Sequence, residues 1–261
     1  MQAFVLSLRS EFYKSRNTLA FWSAIILPIA IVGLVFFGFY TNSDKMQNMA
    51  PMFQWFRYFG AILGVMGILL LPMFVIFISY SVNNMEHRSE MWKSLFSLPL
   101  GKWSIYSSKY FFTVILNALC ISMFFGLIIG SGQLLSLLKP VFRFDEFQIA
   151  KFAFDFHLKM FLATLGILSI QFLLSLVWAD FLKPMGIGFI GTICGIIAGN
   201  TGWKYAYMIP YAHPFLTVNG YQPKGQTPQI NFLTNEIYVS IGVAIVMFVL
   251  GFFVVSRRSV R

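Results

Sequence analysis

The sequence has few charged residues, few cysteines and far less polarity than a water-soluble domain. Asp, Glu, Lys and Arg make up 11% of its 261 residues, whereas hydrophobic residues make up 58%. Soluble domains carry about 25% charged residues, and disordered chains are less apolar and more charged. Both classes are therefore excluded. Cys120 and Cys194 each lie in an apolar run and provide no disulfide framework.

Motifs for catalysis and for nucleotide binding are also missing. The sequence contains no HExxH, CxxC or GxSxG motif and no paired carboxylates inside an apolar run, although a serine or threonine nucleophile stays open. It has no GxxxxGK[ST] phosphate loop, so any work against a gradient must draw on a partner or an ion gradient. We expect no enzyme activity, catalytic residue, cofactor or metal in this chain.

Long apolar runs dominate what remains. About 20 apolar residues are needed for a helix to cross the hydrocarbon core of a bilayer. Six uncharged runs reach that scale: Asn17–Ser43, Tyr58–Met85, Tyr110–Leu138, Met160–Ala179, Pro184–Trp203 and Ile237–Ser256. The sequence therefore predicts an all-α integral membrane protein with six transmembrane helices. We treat residues 17–256 as one six-span bundle.

The distribution of basic residues predicts that both termini are cytoplasmic. Residues 1–16 place Phe4, Leu8 and Phe12 at helical spacing among basic residues, which indicates an amphipathic helix on the inner membrane surface. With this end inside, eleven of the nineteen Lys and Arg residues fall on inner segments, as the positive-inside rule requires. The net charge of +10 then serves topology rather than nucleic-acid binding. Lys109, near the start of the third span, is expected to snorkel.

Two predicted outer segments are more than turns. Residues 139–159 contain six phenylalanines among charges and are expected to lie along the outer interface, with His157 solvent-facing or interfacial. Residues 201–235 form an outer loop, and its prolines exclude a continuous helix. Within it, Met208–Pro214 is either a re-entrant element or part of a wholly extracellular loop.

Glycines recur at four-residue spacing in two spans. Gly60 and Gly64 lie in the second, and Gly191, Gly195 and Gly199 lie in the fifth. This spacing lets helix backbones approach closely in lipid.

The cytosolic loop at residues 83–104 concentrates charge and tryptophan. From Glu86 to Leu98 nothing breaks a helix, and Pro99 ends it. Met91 and Leu95 would share one stripe, with charges around it. Three interpretations of this segment stay open: a helix that rests on lipid, a solvated loop, or a helix that docks into a partner's groove.

The order of these features resembles the permease subunits of type 2 ABC exporters, closest to the lantibiotic-immunity and bacitracin-resistance branch. The resemblance rests on ExRSxxWKSLxSLPL from Glu86, IYSSK at Ile105–Lys109, the basic amphipathic N-terminus, six spans, and an IP…P element at Ile209–Pro214. It covers the whole chain. It implies an antibiotic-resistance or bacteriocin-immunity exporter in the bacterial cytoplasmic membrane.

The resemblance also implies roles and partners. A coupling helix would dock into a separate ATPase subunit, present in two copies and binding ATP and Mg²⁺; its residues are Glu86, Arg88, Met91, Trp92, Leu95 and Phe96. The glycines of the second and fifth spans would pair the permease with a second copy, giving a dimer, or with a sister permease. The substrate would be a peptide antibiotic, a drug or a lipid-like molecule.

Two other function classes stay open at this point. One is a non-ABC carrier or an integral membrane enzyme, in which Glu86, His87 and Arg88 would line a cytosolic site. The other is a membrane scaffold that transports nothing.

Overall fold

The computed structural model describes residues 2–88, 101–220 and 230–257, with only the backbone at 86–88. The described residues contain α-helices, short 3₁₀ turns and one π-helical turn, and no strand. We number the α-helices α1 Gln2–Ser15, α2 Leu19–Thr41, α3 Pro51–Val65, α4 Leu71–Arg88, α5 Lys102–Leu138, α6 Ala150–Val177, α7 Leu182–Asn200, α8 His213–Asn219 and α9 Asn235–Arg257.

Six helical segments are long and apolar enough to cross a membrane, which confirms the predicted fold class. They are α2, α3 and α4 together (Pro51–Met85), α5, α6, α7 and α9. Several begin earlier than the apolar runs: the second at Pro51, the third at Lys102 and the fourth at Ala150. The added turns carry charged side chains, which either reach the interface or, like Lys109, pair with another buried charge.

The second span is interrupted by a π-helical turn, Met66–Leu70, between α3 and α4. The wider turn shifts the face that α4 presents relative to α3. Gly67 lies in this turn and is buried.

Helix α6 forms the centre of the bundle. It packs against α4, α5 and α9, and Ala163, Ile167 and Leu168 on it are fully buried. Helices α2, α7 and α9 are the least buried spans and turn broad apolar faces outward. Such faces suit a hydrocarbon solvent, which removes the penalty that water would impose.

The loop between α5 and α6 closes the end of the bundle that the predicted topology places outside; we call this the outer end and the opposite one the inner end. Trp55 Nε1 donates to the Phe144 carbonyl at 2.8 Å, and Gln54 Nε2 donates to the Val141 carbonyl at 3.0 Å. Lys139 Nζ donates to the Tyr40 carbonyl at the end of α2, at 2.7 Å. A cation at a helix C-terminus is favoured by the helix dipole.

This arrangement corrects the prediction for residues 139–159. Residues from Ala150 onward belong to α6 rather than to a separate surface element. Phe142 and Phe144 are each 2% exposed: Phe144 packs against Trp55 and Tyr58, and Phe142 stacks on Phe144. In this segment Arg143, Asp145 and Glu146 face outward, and so does Phe154, which is 54% exposed on α6.

His157 is also buried rather than solvent-facing or interfacial. It is 3% exposed, and its Nδ1 lies 2.7 Å from the Ala153 carbonyl oxygen. Rings of Phe59 and Phe125 flank it. A carbonyl can only accept, so Nδ1 carries the proton.

Candidate functional site

The predicted docking residues begin at the inner end of the second span. Helix α4 runs without interruption to Arg88, so Glu86 and Arg88 lie in its last turn. Met91, Trp92, Leu95 and Phe96 lie outside the described residues. Their docking role stays a prediction, and what the structure adds is that α4 connects this end directly to the core.

Beside that end, α1 docks on α5 with its polar side. Glu11 Oε2 accepts a hydrogen bond from Lys109 Nζ at 2.8 Å, and the two side chains are 2% and 1% exposed. Ser7 and Ser108 join their hydroxyls at 2.7 Å. Ser15 continues the same buried stripe. The exposed apolar side chains of α1 are Val5, Leu6, Phe12 and Tyr13.

This contact corrects the expectation for Lys109, whose ammonium is buried in an ion pair instead of snorkelling. It also reveals Glu11, a residue that the sequence reasoning missed. The available signal was a stripe of Ser7, Glu11 and Ser15 at four-residue spacing, with the first acidic residue of an otherwise basic segment at its centre.

The ion pair holds α1 against α5 at the inner end of the bundle, so the two helices move together. Leaving one buried charge without its partner costs about 3–5 kcal/mol, so the two helices separate only with difficulty. Helix α5 starts at Lys102, directly after the predicted coupling loop. Any movement of that loop therefore reaches α5 and α1 together.

Polar side chains also join α6 to α4 and α5 inside the bundle. Asn83 Nδ2 donates to Ser175 Oγ at 2.8 Å. Asn117 Nδ2 donates to Thr164 Oγ1 at 2.8 Å. Hydrogen bonds between membrane helices contribute about 0.6 kcal/mol each on average. Their main effect here is to fix the register of the central helices.

After α7, the chain turns back and packs along that helix at depth. The turn uses Gly202 with φ of 67°, a left-handed conformation that glycine adopts without strain. Two 3₁₀ turns, Ala206–Met208 and Pro210–Ala212, lead into α8. His213 and Ala212 are fully buried. The segment 206–219 therefore lies along α7 beside Gly191, Gly195 and Gly199. Its re-entry into the membrane stays a prediction, and we call residues 206–219 the re-entrant segment.

The glycine ridge of α7 is the surface on which this segment lies. A Cβ built on Gly195 would be 2.6 Å from the Ala212 backbone nitrogen. One on Gly199 would be 2.5 Å from the Phe215 ring. Gly191 faces Tyr211 in the same way, at 2.9 Å. These three glycines therefore serve a contact within the chain, and pairing through them would require the segment to leave.

Gly60 and Gly64 in α3 have the opposite environment. A Cβ on either would meet nothing within 4 Å. Their face is free within this chain, and their predicted part in pairing stays a prediction.

Buried polar groups anchor the deepest part of the re-entrant segment. Tyr211 Oη and the Gln171 amide of α6 are 2.7 Å apart, and burial raises the pKa of Tyr211 to about 12. His213 Nε2 lies 2.8 Å from the Tyr207 carbonyl oxygen. Burial is also the main cause that lowers the pKa of His213.

A second ion pair lies at the outer end of the bundle. Lys159 Nζ of α6 and Glu236 Oε1 of α9 are 3.3 Å apart, with side chains 11% and 15% exposed. With Glu11 and Lys109 at the inner end, charged contacts hold the bundle at both of its ends. Within the described ranges, no group of three or more His, Cys, Asp or Glu residues is placed to hold a metal ion.

Comparison with known proteins gives one match. A family model described as ABC-2 family transporter protein matches residues 7–195. No curated protein and no solved structure matches the chain. The matched range covers α2 to α6 and most of α7, and it includes both partners of the Glu11–Lys109 pair.

Proposed function

The chain belongs to the ABC-2 family of transporter proteins, and from that membership we propose that it is the membrane-spanning subunit of an ATP-driven exporter. The family match over residues 7–195 carries this proposal. The absence of a phosphate loop from the sequence supports a separate ATPase as the energy source. That partner would be present in two copies and would bind ATP and Mg²⁺.

The proposed mechanism starts at the cytosolic loop. Closure of the two ATPases on ATP would displace residues 83–104, which join α4 to α5. Helix α4 would pass the movement to the bundle core, and α5 would carry α1 with it through the Glu11–Lys109 pair. Energy spent in the partner would thereby change the arrangement of the spans.

The substrate we propose is hydrophobic or amphipathic: a peptide antibiotic, a drug or a lipid-like molecule. It would pass between this permease and a second copy or a sister permease. Apolar outward faces on α2, α7 and α9 support a path in contact with the membrane interior. The membrane is proposed to be a bacterial cytoplasmic membrane, and the role to be bacteriocin immunity or a related resistance.

Docking is tested with paired tryptophan and leucine substitutions. We expect Trp92→Asp with Leu95→Asp to abolish co-purification of the ATPase, because two carboxylates cannot enter an apolar groove. The matched control is Trp203→Asp with Leu233→Asp, which alters the same residue types in exposed outer positions. It should keep the ATPase. Retention of the ATPase by the inner variant would contradict the docking assignment.

Transport itself is tested with the complex in liposomes. Candidate peptides and lipids should stimulate ATP hydrolysis and accumulate on the far side of the membrane. A complex that binds its ATPase but shows neither response would be a scaffold.

A further inference from the structure

A groove between the outer halves of α2 and α3 has basic residues at its mouth and an apolar floor. Its volume is about 390 Å³, within the range of ligand sites. Asn42, Lys45 and Arg57 line its polar end. Its apolar lining consists of Val35, Gly38, Phe39, Met46, Ala61 and Val65.

The two cations at the mouth are not neutralised by the protein. Within the described part of the chain, neither Lys45 nor Arg57 forms an ion pair. Arg57 Nη1 lies 3.7 Å from Met49 Sδ, a weak acceptor that leaves its charge uncompensated. Asp44 precedes Lys45 in sequence but does not line the groove. By contrast, Lys139 nearby is engaged by the Tyr40 carbonyl and the Ser43 hydroxyl.

The groove is basic at one end and apolar along the rest of its length, which matches the charged headgroup and the acyl chains of a lipid. Val65 follows Arg57 by eight residues on α3, which is about 12 Å along a helix. The basic end lies where α2 and α3 meet their connecting loop, at the level of lipid headgroups. The apolar end lies toward the middle of the spans, at the level of acyl chains. Space is left on the floor, since a Cβ on Gly38 would meet nothing within 4 Å.

We propose that this groove binds one anionic phospholipid. Its phosphate would lie between Lys45 and Arg57, and an acyl chain would follow the floor past Gly38 and Ala61. A zwitterionic lipid would gain less, because its own ammonium offsets the phosphate charge next to two cations. Under the predicted orientation the lipid comes from the outer leaflet. The proposal does not depend on the transport function.

The test uses the purified full-length chain in detergent and native mass spectrometry. Phosphatidylglycerol and phosphatidylethanolamine with identical acyl chains are titrated separately. We expect wild-type protein to retain one phosphatidylglycerol more tightly than phosphatidylethanolamine. A basic residue near a membrane surface contributes about fivefold to binding of anionic lipid. Lys45→Gln with Arg57→Gln should therefore weaken phosphatidylglycerol binding about 25-fold.

Two further variants separate charge from space. Lys204→Gln removes one exposed outer charge far from the groove and should leave binding unchanged. Gly38→Leu keeps both cations but fills the floor, and should weaken binding of both lipids. Folding of each variant is checked by its melting temperature in lipid-free detergent.

Four results would overturn the proposal. The first is equal retention of the two lipids by wild-type protein, and the second is unchanged binding of phosphatidylglycerol by the double variant. The third is a wild-type dimer that carries no lipid and dissociates in the double variant, since the groove would then receive a second copy. Competition by glycerol 1-phosphate at the same concentration as the lipid would likewise indicate a free-anion site instead of a lipid site.

Discussion

Glu11 lies on a helix that is otherwise basic, and its carboxylate turns toward the bundle because Lys109 neutralises it there. The pair is at 2.8 Å and almost fully buried. This contact also decides the rotation of α1, since Ser7 and Ser15 follow Glu11 inward while Phe12 points outward. Leu8 packs against the core and Phe4 contacts the Phe111 ring of α5 beside this polar stripe.

Replacing Glu11 with Gln should destabilise the protein, because the buried Lys109 ammonium would lose this carboxylate. The expected loss is about 3–5 kcal/mol, read as a lower melting temperature in tryptophan fluorescence. Lys14→Gln is the matched control; its partly exposed contact with Glu11 should contribute about 0–1 kcal/mol. Glu11→Leu combined with Lys109→Leu should recover most of the loss. Strictly additive effects in the double variant would contradict a direct pair.

His213 should make stability depend on pH in one direction. Its folded pKa is lowered, so below about pH 6.5 the unfolded chain binds the proton more readily than the folded chain. Stability is therefore fully present above that pH and falls as the pH decreases. In His213→Gln, whose amide can still donate to the Tyr207 carbonyl, the slope of melting temperature between pH 5 and 7 should be shallower than in wild type. An unchanged slope would assign the effect to other groups.

At the scale of elements, helix α7 and the re-entrant segment depend on each other. The segment carries many backbone groups outside regular helix, and such backbone is tolerated at membrane depth only when protein covers it. The glycine ridge provides that cover because it lets Ala212 and Phe215 approach the α7 backbone. The irregular segment 206–219 and the glycines of α7 therefore form the two sides of one contact.

Gly195→Leu should disrupt this contact, because a side chain would meet the backbone at Ala212, which has no rotamer to change. Overpacking costs about 1–3 kcal/mol where neighbours can relax, and we expect at least that here. Gly186→Leu is the matched control on the same helix, since a Cβ there meets nothing within 4 Å. Detergent stability and accessibility of a cysteine introduced at Thr217 provide the measurements. Equal behaviour of the two variants would contradict the packing.

Gly60→Leu tests the pairing that was predicted from the glycine spacing. Because Gly60 is open within this chain, the substitution should leave the melting temperature of the isolated chain unchanged. If α3 pairs with another permease, cysteine cross-linking between copies should decrease. Unaltered cross-linking would remove Gly60 from the pairing surface.

At the scale of the whole molecule, the six spans could be predicted from the sequence because each depends only on its own apolar length. Contacts between distant segments could not be predicted in this way. Nothing near Phe144 in sequence indicates that Trp55 and Tyr58 pack against it. Likewise, Lys109 looks like a snorkelling residue until the partner at Glu11 is known. Local pattern determines which segments are helices, whereas burial of a polar residue depends on a partner elsewhere in the chain.

The orientation remains a prediction with a direct test. An epitope tag inserted at residue 225 should be accessible to antibody from outside intact cells, and a tag after residue 261 should be accessible only after permeabilisation. The reverse labelling of the two tags would invert the topology, along with the leaflet that we assign to the lipid groove.

The π-helical turn at Met66–Leu70 divides the second span into an outer helix, α3, and an inner helix, α4. In an uninterrupted helix, a displacement at Arg88 would be transmitted along the whole length of the span. The π-helical turn interrupts that regular helix, so the direction of α4 relative to α3 depends on the contacts made at the turn. Val218 of the re-entrant segment presses on Gly67 inside this turn, where an added Cβ would lie 2.4 Å from its side chain. Residues 206–219 therefore contact the second span at the point where α3 and α4 join, so their position is coupled to the angle between these two helices.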